Sequence, residues 1–307
     1  MTTVSSSAPD RVGGAPSRAS LARRGSAFLY RHAKVRLALL LSAPLFWLGL
    51  VYIAALAALL ITAFWTVDSF TGEILVDWNV DNVTKVLGDA LYHAVTLRTV
   101  TAAVLVTLID IAIALPIACL MAKVASRAVH RALVIAILLP LWASYLVKAY
   151  AWRSLLSQDG VIDWMLAPIG GESPGYGFEG SVVTLAYLWL PFVILPIFTA
   201  LERVPDSLLD ASSDLGAKTG RTFRHIVFPL IVPGIIAGSI FSFSLTLGDY
   251  IAVRIVGGAT QMLGTLVYAN VGVANNLPLA AAVSLIPLGI IFIYLGVVRR
   301  TGALSNL

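Results

Sequence analysis

Six long apolar stretches constrain this chain more than any other feature of its sequence. A helix needs about 20 residues, each rising about 1.5 Å, to cross the hydrocarbon core of a membrane. The stretches that meet this length lie near residues 37–65, 99–122, 132–152, 181–201, 226–247 and 279–298. Hydrophobic residues make up 59% of the chain and charged residues only 12%, which excludes an ordinary soluble domain. The sequence therefore predicts an all-α integral membrane protein with six transmembrane helices.

The basic residues predict the orientation of these helices. Sixteen of the 21 Lys and Arg residues lie before the first span, between spans two and three, between spans four and five, or after span six. Short loops rich in Lys and Arg stay in the cytoplasm, so we expect both termini to be cytoplasmic. This placement also accounts for the net charge of +5, which therefore does not indicate nucleic-acid binding.

The ends of the chain are predicted to be tails around one membrane domain. Residues 1–36 are rich in Ser, Ala, Gly, Pro and Arg without periodicity, which predicts a disordered basic cytoplasmic tail that can contact anionic lipid. Residues 37–300 form the membrane domain, and residues 301–307 form a short cytoplasmic tail. The lone Cys119 and four scattered histidines provide neither a disulfide nor a metal site. Because no constellation of catalytic groups appears, we expect neither an enzyme nor a cofactor bound to this chain.

The loop at residues 202–229, between spans four and five, has the features of two short helices. Asp206 belongs to a helix-start pattern, and an apolar stripe follows it up to Leu215. Gly216 lies where such a helix should end, and a second short helix would begin near Thr219 and lead into span five. Two short helices at an angle make a compact knob that can dock on a soluble partner. The alternative is an amphipathic connector that lies on the membrane surface.

The same loop resembles a known family motif. The run Asp210-Ala211-Ser212-Ser213-Asp214-Leu215-Gly216 is followed, ten residues after the glycine, by Ile226-Val227-Phe228-Pro229. This spacing resembles the EAA loop, E-A-A-x3-G-x9-I-x-L-P, of permease subunits of binding-protein-dependent ATP-binding-cassette (ABC) importers. Four positions match, while Asp210, Ser212 and Phe228 depart conservatively. The resemblance implies that the residues coupled to a partner ATPase are Asp210, Ala211, Ser212, Gly216, Ile226 and Pro229.

Other stretches resemble the spermidine/putrescine-type permeases. They lie at residues 139–152, 189–198, 233–238 and 248–250. The resemblance implies a type I ABC importer permease fold in a bacterial plasma (inner) membrane, with a polyamine or a related small cation as cargo. Related branches carry opines, amino-acid derivatives, ferric iron or phosphonates, and these cargoes stay open. A secondary carrier is a further alternative, although it leaves the motif in the loop unexplained.

The resemblance also implies several partners. These are a second permease subunit, identical or different, a dimer of cytoplasmic ATP-binding subunits, and an extracytoplasmic substrate-binding protein. This chain lacks the phosphate-binding pattern G-x4-G-K-[ST], and the run at residues 216–220 does not fit it. We therefore expect ATP and Mg²⁺ to bind to the partner ATPase. Closure of that ATPase would draw the coupling loops together and switch the pathway from inward- to outward-facing.

Acidic and aromatic residues in the spans are candidates for the substrate pathway. Asp110 lies midway along span two, where a charge is costly, so it must face protein or water. It either attracts a cationic cargo or bonds to a neighbouring helix, and the sequence leaves both readings open. Asp249, at the outer end of span five, either lines the pathway or serves folding. The aromatic residues near span ends either stack on an amine cargo or anchor the protein at the membrane interface. These residues are Trp142, Tyr145, Trp189 and Tyr250.

The predicted orientation can be tested by labelling single cysteines. In a background without Cys119, cysteines at Ser126, Ser213 and Ser305 should react with an impermeant thiol reagent only from the cytoplasmic side. A cysteine at Ser173 should react only from outside. Reaction of the Ser213 position from outside would contradict the orientation and would remove the loop from the reach of any cytoplasmic partner.

Overall fold

The computed structural model describes residues 33–68 and 70–300, and nearly all of their regular structure is helical. The α-helices are α1 (Ala33–Phe46), α2 (Ile53–Ile61), α3 (Asp81–Gly88), α4 (Ala90–Cys119), α5 (Arg127–Trp142), α6 (Tyr145–Leu155), α7 (Val161–Leu166), α8 (Phe178–Glu202), α9 (Asp206–Asp214), α10 (Thr219–Thr222), α11 (Phe228–Gly248), α12 (Ile251–Val256), α13 (Leu263–Gly272) and α14 (Leu277–Arg300). Wider π-helical turns lie at Trp47–Tyr52, Leu120–Val124 and Phe223–Val227, and 3-10 turns at Thr62–Phe64 and Ala167–Ile169. Strands β1 (Thr66–Val67) and β2 (Ile74–Leu75) form an antiparallel hairpin.

The chain divides into two units between Leu59 and Leu60. The described part of the first unit is a long apolar helix made of α1, a π-helical segment and most of α2. Its helical residues include 33–36, which the sequence analysis assigned to the N-terminal tail. The rest of that predicted tail and the predicted tail at residues 301–307 lie outside the described residues.

Within residues 33–68 and 70–300, five helical segments are long and apolar enough to cross a membrane on their own. They are Lys34–Phe64, Ala90–Val124, Phe178–Glu202, Thr219–Gly248 and Leu277–Arg300. These segments contain the predicted spans one, two, four, five and six almost entirely. A sixth span exists in the described chain only if the bent pair α5 and α6 is counted as one.

The prediction of a single helix over residues 132–152 is wrong, because the axes of α5 and α6 differ by 99°. Ala143 and Ser144 adopt an extended backbone, with ψ angles of 141° and 138°. Pro140, in the last turn of α5, has no N–H to donate within the helix. The carbonyl of Ser144 then accepts a hydrogen bond from the Lys148 N–H at 3.2 Å, which starts α6 in a new direction. Apolar composition does not reveal this break, since both halves are apolar.

The second unit is built around α8, which packs along both α4 and α11. The approach of α11 to α8 is close because glycines lie on the facing side of α11. A Cβ atom on Gly234 would lie 2.6 Å from Ala200 Cβ and 2.7 Å from the Pro196 carbonyl oxygen. A Cβ atom on Gly238 would lie 3.0 Å from the Cα of Val193. Small residues four positions apart thus let two membrane helices approach backbone to backbone.

Short elements gather at the end of the second unit where α4 begins and α11 ends, which we call the outer end after the predicted orientation. A buried apolar cluster there joins the residues after α2 to α3, α4, α13 and α14. Its members include Ala63, Val86, Tyr92, Leu263 and Leu279. This cluster gives the short elements at the outer end a packed base.

The replacement Gly234→Ala tests the close packing of α8 and α11. The added Cβ has no room, so we expect a loss of about 1–3 kcal/mol, as for other overpacked sites. The matched control is Gly289→Ala in α14, where an added Cβ meets no atom within 4 Å. The control should be neutral or stabilising, because Ala is a better helix former than Gly by about 1 kcal/mol. Equal thermal midpoints for the two purified variants in detergent would contradict the packing described here.

Candidate functional site

The loop between α8 and α11 folds as two short helices, α9 and α10, as the sequence predicted. Gly216 ends the first of them with a φ of +77°, a left-handed conformation that favours glycine. The N–H of Gly216 donates to the Ser213 carbonyl at 2.8 Å, and the N–H of Ala217 donates to the Ser212 carbonyl at 3.1 Å. These two bonds satisfy carbonyl groups at the end of α9 and turn the chain towards α10. We call residues 206–229 the knob.

A hydroxyl pair holds the two helices of the knob together. The Ser212 Oγ lies 2.8 Å from the Thr222 Oγ1, and Ser212 is buried. The family motif has alanine at the position of Ser212. The hydroxyl group that Ser212 has instead is hydrogen-bonded to the hydroxyl group of Thr222. Asp210 and Ala211, the other two residues of the motif's opening, are exposed on α9. They are therefore available to a partner.

The knob is tied to the transmembrane bundle by Lys123, a residue that the sequence analysis did not single out. The Lys123 Nζ donates to the Asp206 Oδ1 at 2.7 Å and to the Val204 carbonyl at 2.8 Å. Lys123 lies in the π-helical turn after α4, so the ion pair connects span two to the first residue of α9. No sequence pattern could reveal this contact, because its partners lie 83 residues apart.

The second helix of the knob continues directly into span five. α10, the π-helical turn Phe223–Val227 and α11 form one helical segment, Thr219–Gly248. Ile226 lies half-buried in the π-helical turn, and Pro229, which has no N–H to donate, lies just after that turn at the start of α11. A movement of the knob would therefore reach the outer end of span five without crossing a flexible linker.

Asp110 is enclosed between helices. Its side chain is 0% exposed, and its Oδ2 accepts a hydrogen bond from the Ser242 hydroxyl at 2.6 Å, which joins α4 to α11. Its Oδ1 has no hydrogen-bond partner among the described residues. Asp110 lines none of the grooves described below. Its hydrogen bond supports the packing reading, while a role in cargo binding stays a prediction.

Asp249 organises the outer end of span five. It directly follows α11, and its Oδ1 accepts a hydrogen bond from the Ala252 N–H at 2.9 Å, in the first turn of α12. Its Oδ2 accepts a hydrogen bond from the hydroxyl of Tyr145, the first residue of α6. The Tyr145 ring stacks on Trp189 of α8, with ring centroids 5.8 Å apart. Asp249 therefore connects the broken third span to the end of the fifth.

An open groove of about 350 Å³ lies beside this junction. Four of the six predicted pathway residues line it, namely Tyr145, Trp189, Asp249 and Tyr250. The other two predicted residues are elsewhere, since Asp110 is enclosed and Trp142 is 90% exposed at the end of α5. The exposure of Trp142 fits its alternative reading as an interfacial anchor.

A neighbouring groove of about 440 Å³ shares Tyr250 and carries two basic residues, Arg153 and Arg254. Tyr250 stacks on Tyr268, with ring centroids 5.1 Å apart, and the Arg254 guanidinium lies 4.2 Å from the centroid of the Tyr268 ring. The Arg153 Nη1 donates to the Ile255 carbonyl at 2.5 Å. No sequence pattern brings these two arginines together, because one lies on α6 and the other on α12.

Neither groove has the composition of a metal site. Within residues 33–68 and 70–300, no group of three or more His, Cys, Asp and Glu side chains is placed to hold a metal ion. The expectation that this chain binds no cofactor of its own stays a prediction.

Comparison with known proteins places the chain in a family. A family model described as "Binding-protein-dependent transport system inner membrane component" matches residues 90–300, which is more than half of the chain. The chain belongs to this family. It is an ABC importer permease subunit, a non-catalytic multi-pass protein of the inner membrane, and the matched range contains both the knob and the grooves.

Two proteins similar in sequence to this permease are also transporter permeases. The inner membrane ABC transporter permease protein YdcU of Escherichia coli K12 is 43% identical over 95% of this chain and 97% of its own length. The spermidine/putrescine transport system permease protein PotB of the same organism is 30% identical over 73% of this chain and 82% of its own length.

Solved structures of other importers share the fold of this permease. One belongs to a bacterial ABC transporter involved in the import of the acidic polysaccharide alginate. It superposes with a TM-score of 0.64 at 18% identity, over 90% of this chain and 99% of its own. A chain of the MetNI methionine ABC transporter gives a TM-score of 0.53 at 15% identity, over 69% of this chain and 97% of its own. The predicted type I ABC importer permease fold is therefore confirmed.

Proposed function

We propose that this permease forms half of a translocation pathway and couples it, through the knob, to a cytoplasmic ATPase. The observation that carries the proposal is the geometry of the knob, in which Gly216 turns the chain between two short helices and the Ser212–Thr222 pair joins them. Asp210 and Ala211 are left exposed on that rigid body. An exposed, preorganised helix pair is suited to a groove on a soluble partner.

Three kinds of partner complete the proposed importer. A second permease subunit would supply the other half of the pathway, and a pair of ATP-binding subunits would hold ATP and Mg²⁺. An extracytoplasmic binding protein would deliver the cargo, in keeping with the family's description as binding-protein-dependent. The predicted orientation, with both termini in the cytoplasm, puts the knob on the ATPase side of the membrane.

The helical segment Thr219–Gly248 supports a simple route for coupling. Closure of the ATPase dimer would move the knob, and the segment would carry that movement to Asp249 at its far end. Asp249 contacts Tyr145 of α6 and caps α12, so the walls of the groove beside Asp249 would move with it. Coupling of this kind requires that the two states of the pathway differ in their contacts with the ATPase.

The proposed cargo is a polyamine or a related small organic cation. The 30% sequence identity to the spermidine/putrescine permease PotB supports this class. The aromatic residues that line the groove beside Asp249 support it as well. Aromatic faces attract organic cations, and Tyr145, Trp189 and Tyr250 line the groove together with the carboxylate of Asp249.

One observation favours a second class of cargo. The neighbouring groove carries Arg153 and Arg254, whose guanidinium groups would repel a polyamine and attract a carboxylate. A small solute that bears both an amine and a carboxylate, such as an opine or an amino-acid derivative, fits the two grooves together. This class is the second candidate.

The coupling proposal predicts that Gly216→Val and Asp210→Lys uncouple transport. Val is strained at a φ of +77° and should misdirect α10, while Lys reverses the charge of an exposed docking residue. Both variants should insert at normal abundance but release the ATPase or hydrolyse ATP without uptake. The measurements are retention of the ATPase during purification, ATP hydrolysis stimulated by the binding protein, and uptake into vesicles.

The control for Gly216→Val is Gly220→Val, which makes the same replacement in the same knob. Gly220 lies in α10, has no positive φ, and an added Cβ there meets no atom within 4 Å. The control should keep the ATPase bound and coupled. If Gly216→Val and Asp210→Lys both transport at the wild-type rate, the knob is an ordinary connector.

The cargo proposal predicts that Trp189→Leu slows the uptake of labelled spermidine about two- to fivefold, since loss of a cation–π contact in an open groove removes about 0.5–1 kcal/mol. Trp142→Leu is the matched control and should transport normally, because Trp142 lies outside both grooves. Competition by unlabelled opines and amino acids in the same assay distinguishes the two cargo classes. Equal spermidine uptake by the two variants would contradict the role of the groove.

A further inference from the structure

The segment between α2 and α3 forms a small, fixed hairpin at the outer end. Thr66 pairs with Leu75 and Val67 pairs with Ile74 in antiparallel register. The N–H of Asp68 donates to the Glu73 carbonyl at 2.9 Å, which extends the pairing beyond the two strands. A two-stranded hairpin alone is only marginally stable in water, so its order depends on further contacts.

The side chain of Asp68 fixes the turn of the hairpin. Its Oδ1 accepts hydrogen bonds from the N–H groups of Phe70 at 2.7 Å and Thr71 at 3.0 Å. The N–H groups of Thr71 and Phe70 hold the pKa of Asp68 below its ordinary value. Gly72 completes the turn with a φ of +72°. These two hydrogen bonds hold the backbone N–H groups of Phe70 and Thr71 to the side chain of Asp68.

The base of the hairpin is anchored to the bundle. Asn82, in the first turn of α3, donates through its Nδ2 to the Trp65 carbonyl at 2.8 Å and to the Ala63 carbonyl at 3.3 Å. The ring of Trp78 stacks on Phe64, with centroids 6.5 Å apart. Because Ala63 belongs to the buried apolar cluster of the outer end, these hydrogen bonds attach the base of the hairpin to that cluster.

This fixed hairpin presents an exposed aromatic side chain. Phe70 is 98% exposed, and several other large apolar side chains of the same segment are also exposed, namely Ile74, Leu75, Val76, Trp78 and Val80. An exposed apolar patch on an ordered element marks an interaction site. A preorganised aromatic anchor loses little conformational freedom on binding, which is why such residues dominate binding energy at interfaces.

The charge around Phe70 indicates what covers it. Residues 66–89 contain five acidic residues and one lysine. An anionic membrane surface would repel such a segment, so lipid is a poor occupant. A soluble protein with an apolar pocket and a basic rim fits both the ring and its acidic surroundings.

We propose that the β1–β2 hairpin is a docking site for the extracytoplasmic binding protein, with Phe70 as its apolar anchor. This inference rests on the proposed function, which requires such a partner. The hairpin fits this partner because it projects from the outer end, the side from which cargo arrives. Glu73 and Asp77, near Phe70 in the chain, steer the basic rim of the partner to the ring.

The experiment uses the complete importer in lipid nanodiscs and titrates the binding protein that stimulates its ATP hydrolysis. We expect Phe70→Ser to weaken binding at least tenfold and Phe70→Trp to retain it within about threefold. The matched control is Ile169→Ser, which removes another exposed apolar side chain from a short helical turn and should bind like the wild type. Glu73→Lys should slow association and weaken its dependence on salt, because the segment becomes less acidic.

Two outcomes would overturn the inference while the proposed function stands. One is wild-type affinity of Phe70→Ser in an importer that still hydrolyses ATP on addition of binding protein. The other is lipid occupancy, tested with an environment-sensitive fluorophore on Phe70→Cys in a Cys119→Ser background. Its emission should shift only when binding protein is added, and quenching by brominated lipid beforehand would identify the membrane as the occupant. If the wild-type importer binds no binding protein at all, the proposed function itself fails.

Discussion

The packing of the second unit depends on the close approach of α8 and α11 at two glycines of α11. α8 and α11 meet where Gly234 faces Ala200 and Gly238 faces Val193, and no side chain fits between them. In lipid, helices gain little from hydrophobic burial against one another, so close packing has to hold them together. This contact fixes α11 against the centre of the bundle. It thereby fixes the knob at one end of that helix and Asp249 at the other.

The two buried aspartates, Asp110 and Asp249, both make hydrogen bonds that join helices. Asp110 is bonded to Ser242 between two helices, whereas Asp249, beside the open groove, is held by Tyr145 and by the start of α12. Each carboxylate thus has a structural partner before any cargo arrives. The two grooves also present aromatic rings and two arginines, Arg153 and Arg254, on the short helices α6 and α12. In the proposed function these side chains recognise the cargo.

Much of this architecture could be predicted from the sequence, because apolar length and charge are strong signals in a membrane. The five unbroken spans and the two helices of the knob follow from composition, helix-start residues and Gly216. The break at Ala143 and Ser144 has one sequence signal, Pro140, but apolar composition does not show that the chain turns by 99° there. Contacts between distant residues were equally hidden, as with Lys123 and Asp206, and with Tyr145 and Asp249. Local patterns carry no information about which helices become neighbours.

The break in the third span has a consequence for hydration. The first N–H groups of α6 and the last carbonyls of α5 have no partners within their own helices, and hydrocarbon cannot supply any. Irregular backbone within a membrane is stable only where protein or water surrounds it. Tyr145 begins α6 beside the open groove at the outer end, so we expect protein or water in that groove to satisfy the freed backbone groups.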